Sequence, residues 1–524
     1  MNPLARTRRP DRAARGATDV RVASGLLRGA AERGVLAWRG IPYAAAPVGP
    51  LRFRAPRPAP PWQGVRDARI AGPVAPQSRR GQFTGAHPRI PQSEDCLSLT
   101  VLAPDAPIDP ASLRPVMVFI HGGAYSVGSS REVPRQGEGL VRGGGVLYVS
   151  LNYRLGALGY LDFSRYSTPE RPFESNLGLR DQVSALRWVR DNIRAFGGDP
   201  DAVTLFGESA GGNAVTTLMA VPAAAGLFHR AIVQSAPPNA VYLPGRTAAW
   251  AGEFVAILRG LAPEDAGVPE TDAAALLLAA HPSTLAEATA VLTRRAPDLD
   301  PGTIPLCPVI DGDFLPERPL DAFRDGRAHR VPLIIGTNAR EGSLFSGRID
   351  ILATTPARIR AIFAKTKKKA RKGLRAVYPG LPERPAALDF GGDYSFWYPS
   401  VRVGERHSRY APVYFYRFDA APRVIRLMGL DATHGLELFP LFDRLDGWTG
   451  RGMTLLGGRR SFHAVGARMQ RWWLGFALTG VPDAGWPRYD EAARATLIID
   501  DRDRIEFDPR ADRRQAWGAF VPHV

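Results

Sequence analysis

One serine in this chain lies among unusually small residues, and it is the first candidate for chemistry. Residues 207–212 read GESAGG, with Ser209 at the centre. Glycine and alanine let the backbone turn so sharply that a serine hydroxyl projects as an exposed nucleophile. A loose glycine-rich loop would show the same composition over so few residues. The pattern therefore predicts nucleophilic catalysis only if other parts of the chain supply a base and an acid.

The residues on either side of Ser209 match the context that such a nucleophile requires. Residues 203–206, VTLF, are apolar and suit a buried strand, and residues 211–221 suit a helix. Ser209 is therefore predicted at a sharp strand-to-helix turn. In proteins with this arrangement the acid and then the histidine follow the serine along the chain.

A second glycine-rich segment could stabilise the charge that the reaction creates. Residues 121–125, HGGAY, directly follow a predicted strand at residues 115–120. The backbone N–H groups of Gly122 and Gly123, together with that of Ala210, are predicted to form an oxyanion hole. The two motifs together indicate a hydrolase that transfers an acyl group.

The elements that would position these motifs alternate between strand-like and helix-like segments, which predicts an α/β fold. Six short apolar runs suit strands buried on both faces. They lie at residues 114–120, 146–151, 203–206, 230–235, 331–337 and 413–418. We expect a large, mostly parallel central sheet with helices on both faces. Two segments rich in Ala and Leu, near residues 248–295 and 354–376, are expected to be helical insertions around the pocket.

Length and composition indicate a soluble globular enzyme. The chain has 524 residues, 45% of them hydrophobic, and no apolar run approaches the roughly 20 residues of a membrane span. Residues 1–18 hold five arginines without a following apolar stretch, so we expect a disordered basic tail and not a secretory signal. We further expect a single domain over residues 19–524 and a cytoplasmic location.

Positive charge is concentrated in two segments. The net charge is +17, of which residues 1–18 carry +4 and residues 358–375 carry +9, so that +4 remains for the rest of the chain. All five lysines lie within the second segment. We interpret it as a solvated helix surface and leave open a weak contact with an anionic surface through Lys365–Lys372. Interleaved aromatic residues and nucleic-acid-binding motifs are lacking, which argues against nucleic acid as a partner.

Nine motifs in order make the chain resemble the type-B carboxylesterases of the α/β-hydrolase superfamily, the group that includes cholinesterases and bacterial para-nitrobenzyl esterases. The motifs begin at residues 38 (WRGIPYAAAPVGPLRFRAP), 93 (SEDCLSLTV), 119 (FIHGGAY), 151 (LNYRLGALGYL), 176 (NLGLRDQ), 207 (GESAGG), 308 (PVIDGDFLP), 336 (GTNAREGSLF) and 432 (ATHGLELFPLF). The resemblance runs from about residue 18 to the C-terminus. It implies the α/β-hydrolase fold and hydrolysis of short- to medium-chain or aryl carboxylic esters, with no metal or cofactor required.

The resemblance also implies roles for individual residues. Ser209 matches the nucleophile, Glu341 in EGSLF the acid, and His434 in HGLE the base. From the residues alone, Asp311 and Asp313 compete for the place of the acid. They precede a predicted strand that Glu341 follows, and functional groups of α/β sheets lie at the carboxyl ends of strands, which favours Glu341.

Further expectations concern the surroundings of the triad. Four aromatic residues are expected to line the substrate pocket: Tyr125, Phe345, Phe439 and Phe442. Glu208 and Glu437 are carboxylates near the site in sequence, and we interpret them as structural or supporting residues. The resemblance implies two structural ion pairs, Arg52 with Glu94 and Arg154 with Asp181.

The chain departs from the family at one cysteine. Secreted members often pair the cysteine of the SEDCL motif with another one near position 75, where this chain has Ala75. Cys96 is therefore expected to be unpaired. The other cysteine, Cys307, is far away and shows no metal-ligand spacing, so no metal site is expected.

Two other functions are kept as alternatives. One is a lipase that acts at a lipid surface with the help of the lysine-rich segment. The other is a binding protein that has kept the fold and lost catalysis. Because the chain retains all three triad positions and the oxyanion motif, we favour the esterase. The sequence leaves the oligomeric state, monomer or dimer, open.

Overall fold

The structure of this protein, a computed structural model, is organised around one large sheet. It describes residues 18–79, 85–131, 136–261, 272–345, 347 and 350–520. Residues 1–17, which hold nearly all of the predicted basic tail, lie outside the described residues. Thr18 was predicted to belong to the tail, but it is part of the folded body. Its hydroxyl donates to the Gly29 carbonyl at 2.7 Å, and its carbonyl accepts from the Trp38 indole at 2.8 Å.

The described residues form fourteen strands and seventeen α-helices. The strands are β1 (Asp19–Val22), β2 (Gly25–Arg28), β3 (Ala30–Glu32), β4 (Val35–Pro42), β5 (Val65–Asp67), β6 (Ser98–Pro104), β7 (Arg114–Ile120), β8 (Leu147–Leu151), β9 (Gly198–Glu208), β10 (Arg230–Gln234), β11 (Leu333–Asn338), β12 (Val413–Phe418), β13 (Ala495–Ile499) and β14 (Arg504–Phe507). The helices are α1 (Glu138–Gly144), α2 (Ala157–Tyr160), α3 (Leu177–Asn192), α4 (Ala210–Leu218), α5 (Pro244–Leu261), α6 (Ala273–Ala279), α7 (Pro282–Leu299), α8 (Pro319–Asp325), α9 (Pro356–Ala364), α10 (Lys368–Val377), α11 (Ala386–Gly392), α12 (Tyr398–His407), α13 (Arg423–Leu427), α14 (Leu438–Leu441), α15 (Trp448–Met453), α16 (Arg459–Thr479) and α17 (Ala511–Gly518).

The large sheet joins eleven strands in the order β14-β13-β12-β11-β10-β9-β7-β8-β6-β4-β3. Its centre, from β13 to β8, is parallel, and antiparallel strands complete both edges. The predicted large, mostly parallel sheet is thus confirmed. The prediction missed β3, β4, β6, β13 and β14 of this sheet. Strands β3 and β14 carry exposed residues and form no continuous apolar run. Strand β13 was missed although all five of its residues are buried. A separate three-stranded sheet joins β1, β2 and β5.

Side chains of the central strands alternate between two apolar cores, one on each face of the sheet. On β7, Val118 and Ile120 belong to one core, and Met117 and Phe119 belong to the other. The first core includes residues of α3, α4 and α5, and the second includes residues of α16. Helices therefore cover both faces, which explains why the central strands are apolar along their whole length.

The parallel register aligns the ends of the central strands at one edge of the sheet. Ile120, Gly207, Val233 and Ile335 lie side by side on β7, β9, β10 and β11. The residues that follow these strands therefore come together at the same edge, where open α/β sheets hold their functional groups.

Both segments that were expected to be insertions contain helices. The first includes α5, α6 and α7, and the second includes α9 and α10. In α10, Ala370 and Leu374 are buried, while all five lysines of the segment are exposed. Lys365 Nζ lies 3.7 Å from Asp300 Oδ1. Contact of this segment with an anionic surface stays a prediction.

The length and composition of a helix decide whether it could cross a membrane. Within the described residues, no single helix is long and apolar enough to do so. The pair α6 and α7 has the required length and composition when taken together, but the two helices meet at a bend of 117°.

The two ion pairs that the resemblance implied are present. Arg52 Nε donates to Glu94 at 2.8 Å, and Arg154 Nη2 donates to Asp181 at 2.6 Å. The Arg154 pair is almost completely buried, with side-chain exposures of 3% and 0%. Both cysteines of the chain are buried free thiols.

Candidate active site

Ser209 lies at the sharp turn between β9 and α4, as the sequence pattern predicts. Its backbone adopts φ 58° and ψ −123°, a strained conformation for a residue other than glycine. The Ser209 N–H donates to the Gln234 carbonyl at 2.9 Å, which holds the turn against the neighbouring strand. The strain is therefore held in place by the sheet, as in a nucleophile elbow.

Close approach of α4 to the sheet explains the small residues around the serine. A Cβ atom placed on Gly211 would lie 2.0 Å from the Ile120 carbonyl oxygen on β7. Any side chain at Gly211 would force the helix away from the strand and would displace Ser209 with it. The glycines are thus required by packing at this turn, and a loose loop would not require them.

Three predicted residues from separate parts of the chain meet at the carboxyl edge. His434 Nε2 lies 2.8 Å from Ser209 Oγ, and His434 Nδ1 lies 2.6 Å from Glu341 Oε2. With the Nδ1 proton donated to the carboxylate, Nε2 is left to accept the serine proton. Glu341 follows β11, and its other oxygen accepts from the Asn338 N–H at 2.6 Å. The carboxylate is therefore fixed on both oxygens.

The structure places the rival acids in a different environment. Asp311 accepts from the Ser175 hydroxyl at 2.5 Å and from the Asn176 side chain at 2.8 Å. Asp313 is solvent-exposed and lies 3.6 Å from Arg180. The structure thus brings Glu341 to His434, and neither aspartate lies beside the histidine.

Three buried carboxylates surround the single imidazole. In addition to Glu341, Glu208 Oε1 lies 3.4 Å from His434 Nε2, and Glu437 is completely buried nearby. Burial acts to lower the pKa of His434, but the charges of Glu208, Glu341 and Glu437 outweigh it and raise that pKa to about 9. The three carboxylates therefore stabilise the imidazolium that forms when His434 accepts a proton.

Glu437 is held by polar contacts to neighbouring strand ends. Its carboxylate accepts from Asn338 Nδ2 at 2.5 Å and from the Ser235 hydroxyl at 3.4 Å. Burial and then the charge of Glu341 raise the pKa of Glu437 to about 7. The negative charge near His434 therefore decreases as the pH falls through neutrality.

Side chains of the acid-bearing segment bind the histidine-bearing loop. Asn338 Nδ2 donates to the Thr433 carbonyl at 2.6 Å, and the Ser343 hydroxyl donates to the Leu430 carbonyl at 2.6 Å. Arg340 bonds to Asp431 at 2.9 Å. This connection could not be predicted from the sequence, because only the resemblance linked the two segments and no pattern marked the residues between them.

Arg340 also extends the connection to the next element along the sheet edge. Its Nε donates to Asp389 on α11 at 3.1 Å, and its Nη1 donates to the Gly429 carbonyl at 3.2 Å. One guanidinium thus joins the acid segment, the histidine loop and α11. The Arg340 guanidinium carries five N–H donors in a rigid, planar arrangement. It therefore suits a contact with three elements better than the compact ammonium group of a lysine would.

The predicted oxyanion loop lies directly against the serine. A Cβ atom placed on Gly122 would lie 3.0 Å from Ser209 Cβ. Gly123 has φ +109°, and a Cβ there would lie 2.1 Å from the Val127 carbonyl oxygen, so only glycine fits. Within the described part of the chain, the N–H groups of Gly122, Gly123 and Ala210 donate to no acceptor.

His121, at the start of this loop, is buried and stacks on Tyr153 with ring centroids 4.5 Å apart. Its Nδ1 lies 2.8 Å from the Gly122 carbonyl oxygen. Burial lowers the pKa of His121 to about 4, so the ring is neutral near pH 7. His121 therefore adds no positive charge beside Ser209.

Two aromatic rings flank the candidate base. The Phe345 ring lies 5.1 Å from the His434 ring, and the Phe396 ring lies 4.5 Å from it. The two phenylalanines form a small apolar cluster with Ile351 and Leu352. Phe345 was predicted near the pocket, whereas Phe396 was missed because it lies in a π-helical turn, Asp393–Trp397, that no motif marks.

The other three predicted pocket residues lie elsewhere. Tyr125 is buried behind the oxyanion loop, where its hydroxyl donates to Asn213 Oδ1 at 2.6 Å. Phe442 packs against Phe119 in the core on the opposite face of the sheet, with ring centroids 5.2 Å apart, and Phe439 packs against the same core. Tyr125 and Phe442 are thus core residues, whereas Phe439 is half-buried.

Among the described residues, no group of three or more His, Cys, Asp or Glu side chains is arranged to hold a metal ion.

Known proteins match this chain over nearly its whole length. The model of the carboxylesterase family matches residues 16–517. Para-nitrobenzyl esterase of Bacillus subtilis (strain 168) is 37% identical over 496 residues, which are 94% of this chain and 96% of that protein. A solved structure of PNB esterase superposes with a TM-score of 0.82 at 36% identity, covering 95% of this chain and 99% of that one.

A second solved structure, a carboxylesterase of Geobacillus stearothermophilus, superposes with a TM-score of 0.79 at 32% identity. It is covered over its whole length, and 95% of this chain is covered. Family model, sequence identity and fold agree over nearly the full length of the chain. The protein therefore belongs to the carboxylesterase family and is an esterase.

Proposed function

We propose that the protein hydrolyses carboxylic esters through a triad of Ser209, His434 and Glu341 and a covalent acyl-enzyme. One observation carries the proposal. Hydroxyl, imidazole and carboxylate form a continuous chain of contacts at 2.8 Å and 2.6 Å. The serine at one end of this chain has the strained backbone that presents a nucleophile.

These contacts support a two-step reaction. In the first step His434 Nε2 accepts the Ser209 proton while Oγ attacks the ester carbonyl carbon, and the carbonyl electron pair moves to the oxygen. The imidazolium then protonates the leaving alcohol oxygen as the tetrahedral intermediate collapses to the acyl-enzyme. In the second step His434 takes a proton from water, the hydroxide attacks the acyl carbon, and Ser209 departs with that proton.

The oxyanion of each tetrahedral intermediate is assigned to the N–H groups of Gly122, Gly123 and Ala210. Contact between Gly122 and Ser209 supports the assignment, since the carbonyl under attack must lie beside both. Removal of one such donor typically costs roughly 3 kcal/mol of transition-state stabilisation. A change that distorts Gly123 should therefore slow the reaction strongly.

The charges around His434 support a role as base. Proton transfer from Ser209 creates an imidazolium, and Glu208, Glu341 and Glu437 all stabilise that cation. Negative charge so near the serine also repels anionic acyl groups. Uncharged esters are therefore the expected substrates.

Apolar side chains beside the candidate base support short- to medium-chain or aryl esters. Phe345 and Phe396, whose rings flank His434, form an apolar cluster with Ile351 and Leu352. An apolar wall next to the reacting groups suits an alkyl or aryl substituent of the ester.

The alternative functions lead to different measurements. A lipase would be faster on emulsified long-chain triglyceride than on soluble esters, and a pure binding protein would not turn over either substrate. A cytoplasmic location stays a prediction. The two buried free thiols are compatible with a reducing compartment.

The test combines a substrate series with an active-site label. Para-nitrophenyl esters of increasing acyl length are assayed, the enzyme is trapped with an organophosphate, and the labelled residue is mapped by mass spectrometry. We expect the label on Ser209 and a loss of kcat of roughly 10⁵- to 10⁶-fold in Ser209→Ala. The matched control is Ser283→Ala, at an exposed serine of α7. Retained activity in Ser209→Ala, or a label on another residue, would refute the assignment.

A further inference from the structure

Two neighbouring helices near the active-site edge expose an unusual number of large apolar side chains. Helices α13 and α15 pack against each other. We call their exposed residues and the loop after α15 the Trp448 surface. Its apolar members, with their exposed fractions, are Leu427 (76%), Met428 (65%), Trp448 (96%), Leu455 (80%) and Leu456 (51%). Single exposed apolar residues are ordinary, whereas several on adjacent elements indicate an interaction surface.

The buried faces of these helices are already satisfied. Ile425 of α13, Met453 of α15 and Leu445 between the two helices belong to the core on that face of the sheet. The Thr454 hydroxyl donates to the Gly450 carbonyl at 2.8 Å, which closes the end of α15. The exposed residues are therefore additional to the core.

Exposed arginines lie on the same two helices and on the next one, α16. They are Arg423 and Arg426 on α13, Arg451 on α15 and Arg460 on α16. Among the described residues, Arg423, Arg451 and Arg460 take part in no ion pair, and Arg426 lies 3.8 Å from Asp500. The exposed acids Asp443 and Asp446 lie beside His463 and Arg459. An apolar centre containing tryptophan and leucine with a cationic rim matches an anionic lipid surface, whose acyl chains lie beneath negative headgroups.

The same charges disfavour two other occupants. A second copy on a two-fold axis would bring the arginine rims face to face, and like charges across an interface are costly. The N-terminal segment of residues 1–17 carries five arginines and one aspartate, so it is repelled as well. A lipid surface is therefore the occupant that both the apolar and the charged residues fit.

The surface lies close to the residues that hold the triad. The Gly429 carbonyl, directly after Met428, accepts from Arg340, and Arg340 precedes Glu341. Helix α13 follows β12 and therefore begins at the carboxyl edge of the sheet. Docking through this surface would hold the active-site edge near the ester-containing layer of a membrane.

We propose that the Trp448 surface binds membranes that carry anionic phospholipid. The proposal does not depend on the catalytic assignment, because binding is measured separately from turnover. Trp448 and the leucines would enter the headgroup region, and the arginines would contact lipid phosphates. Binding should therefore require anionic lipid and weaken with salt.

The experiment is co-sedimentation of the full chain with vesicles of phosphatidylcholine alone or of phosphatidylcholine with phosphatidylglycerol. The test variant is the triple substitution Trp448→Ser, Leu455→Ser and Leu456→Ser. A matched control is Leu299→Ser, at a leucine 65% exposed at the end of α7. A second control replaces Lys367, Lys368, Lys369 and Lys372 by Gln.

We expect binding of the unmodified chain to the anionic vesicles, at least a tenfold loss of binding in the triple variant, and little change in Leu299→Ser. The rate on soluble para-nitrophenyl acetate should stay unchanged in the triple variant, which shows that it folds. Three results would overturn the proposal. They are an unmodified chain that binds neither vesicle, binding lost only in the lysine variant, and a dimer in light scattering that the triple variant abolishes without any vesicle binding.

Discussion

Two buried charge clusters in this protein are built on opposite principles. Arg154 and Asp181 form a balanced pair, in which the carboxylate accepts two guanidinium bonds and the Arg154 N–H, and the remaining Arg154 nitrogen donates to the Arg54 carbonyl at 2.7 Å. Each charge is neutralised by its partner. A pair of this kind holds the chain together and leaves no charge to offer a substrate.

The cluster around His434 is unbalanced. Three carboxylates, Glu208, Glu341 and Glu437, face one imidazole. The excess negative charge is costly to bury unless the imidazole is protonated, which is the state that forms during ester attack. Buried charge in this fold is therefore balanced where an ion pair stabilises the structure. It is left unbalanced where a cation forms during the reaction.

The largest expected effect tests which carboxylate orients the base. Glu341→Gln should lower kcat by roughly 10⁴-fold with little change in the thermal midpoint, because the imidazole would lose its orientation and its stabilising charge. The measurement is steady-state kinetics on a para-nitrophenyl ester.

Asp311→Asn is the matched control for this acid. It should keep its activity per folded molecule, since Asp311 accepts from Ser175 and Asn176 away from His434. Activity lost in Asp311→Asn and kept in Glu341→Gln would reverse the assignment of the acid.

The next effect tests the balanced pair. Asp181→Asn leaves the Arg154 charge buried without a counter-ion, so the free energy of unfolding should fall by about 3–5 kcal/mol. The measurement is thermal unfolding at a matched scan rate, with activity recorded at 25 °C.

Two further variants complete this test. The double variant Arg154→Met with Asp181→Leu should recover much of the lost stability, because it buries no charge. Asp19→Asn, which breaks an exposed pair with Arg28, should change the stability far less than Asp181→Asn does, because water screens exposed charges. Equal losses in Asp181→Asn and Asp19→Asn would remove the distinction between buried and exposed pairs.

The smallest expected effect is a shift in the pH dependence of kcat/KM, which depends on the unbalanced cluster around His434. His434 is a base only when neutral, so kcat/KM should rise with pH through the pKa of His434, which lies at about 9. Glu208 helps to raise that pKa. Glu208→Gln should therefore shift the rising limb to lower pH by about 1 pH unit, and should lower the plateau because the imidazolium loses a stabilising charge.

The pH–rate profile of Glu208→Gln is compared with that of a remote control, Glu506→Gln, on strand β14. Glu506→Gln should not shift the rising limb of the pH–rate profile. A limb that stays fixed in Glu208→Gln, or that moves to higher pH, would show that the charge of Glu208 does not act on the base.

Much of the architecture was predictable because it depends on neighbouring residues. Apolar runs predicted six of the seven strands in the parallel centre, all except β13, and β7 and β12 begin and end where the prediction placed them. The GESAG turn was predictable because a strand, a serine with small neighbours and a helix follow one another directly. The outermost strands of the sheet, β3 and β14, were not predictable, because they are partly exposed and their composition resembles that of loops.

The surroundings of the site were predictable only in part. The family motifs pointed to Glu341 and His434, yet no local pattern shows that Arg340 joins three elements or that Phe396 lies beside the histidine. Tyr125, Phe439 and Phe442 were assigned to the pocket because they lie in the motifs. Position in a motif does not reveal the face of the sheet toward which a side chain points.

The amino-acid sequence by itself determined which segments become strands and helices, where the chain turns at Ser209, and the order of the candidate nucleophile, acid and base. These properties follow from backbone sterics, hydrophobic periodicity and chain order, which act between near neighbours or can be read along the chain. Only the tertiary structure decided that Glu341 and not Asp311 contacts His434, that three carboxylates share one imidazole, and that Trp448 stays exposed. Those outcomes depend on packing between segments separated by many residues, and packing is a property of the whole fold.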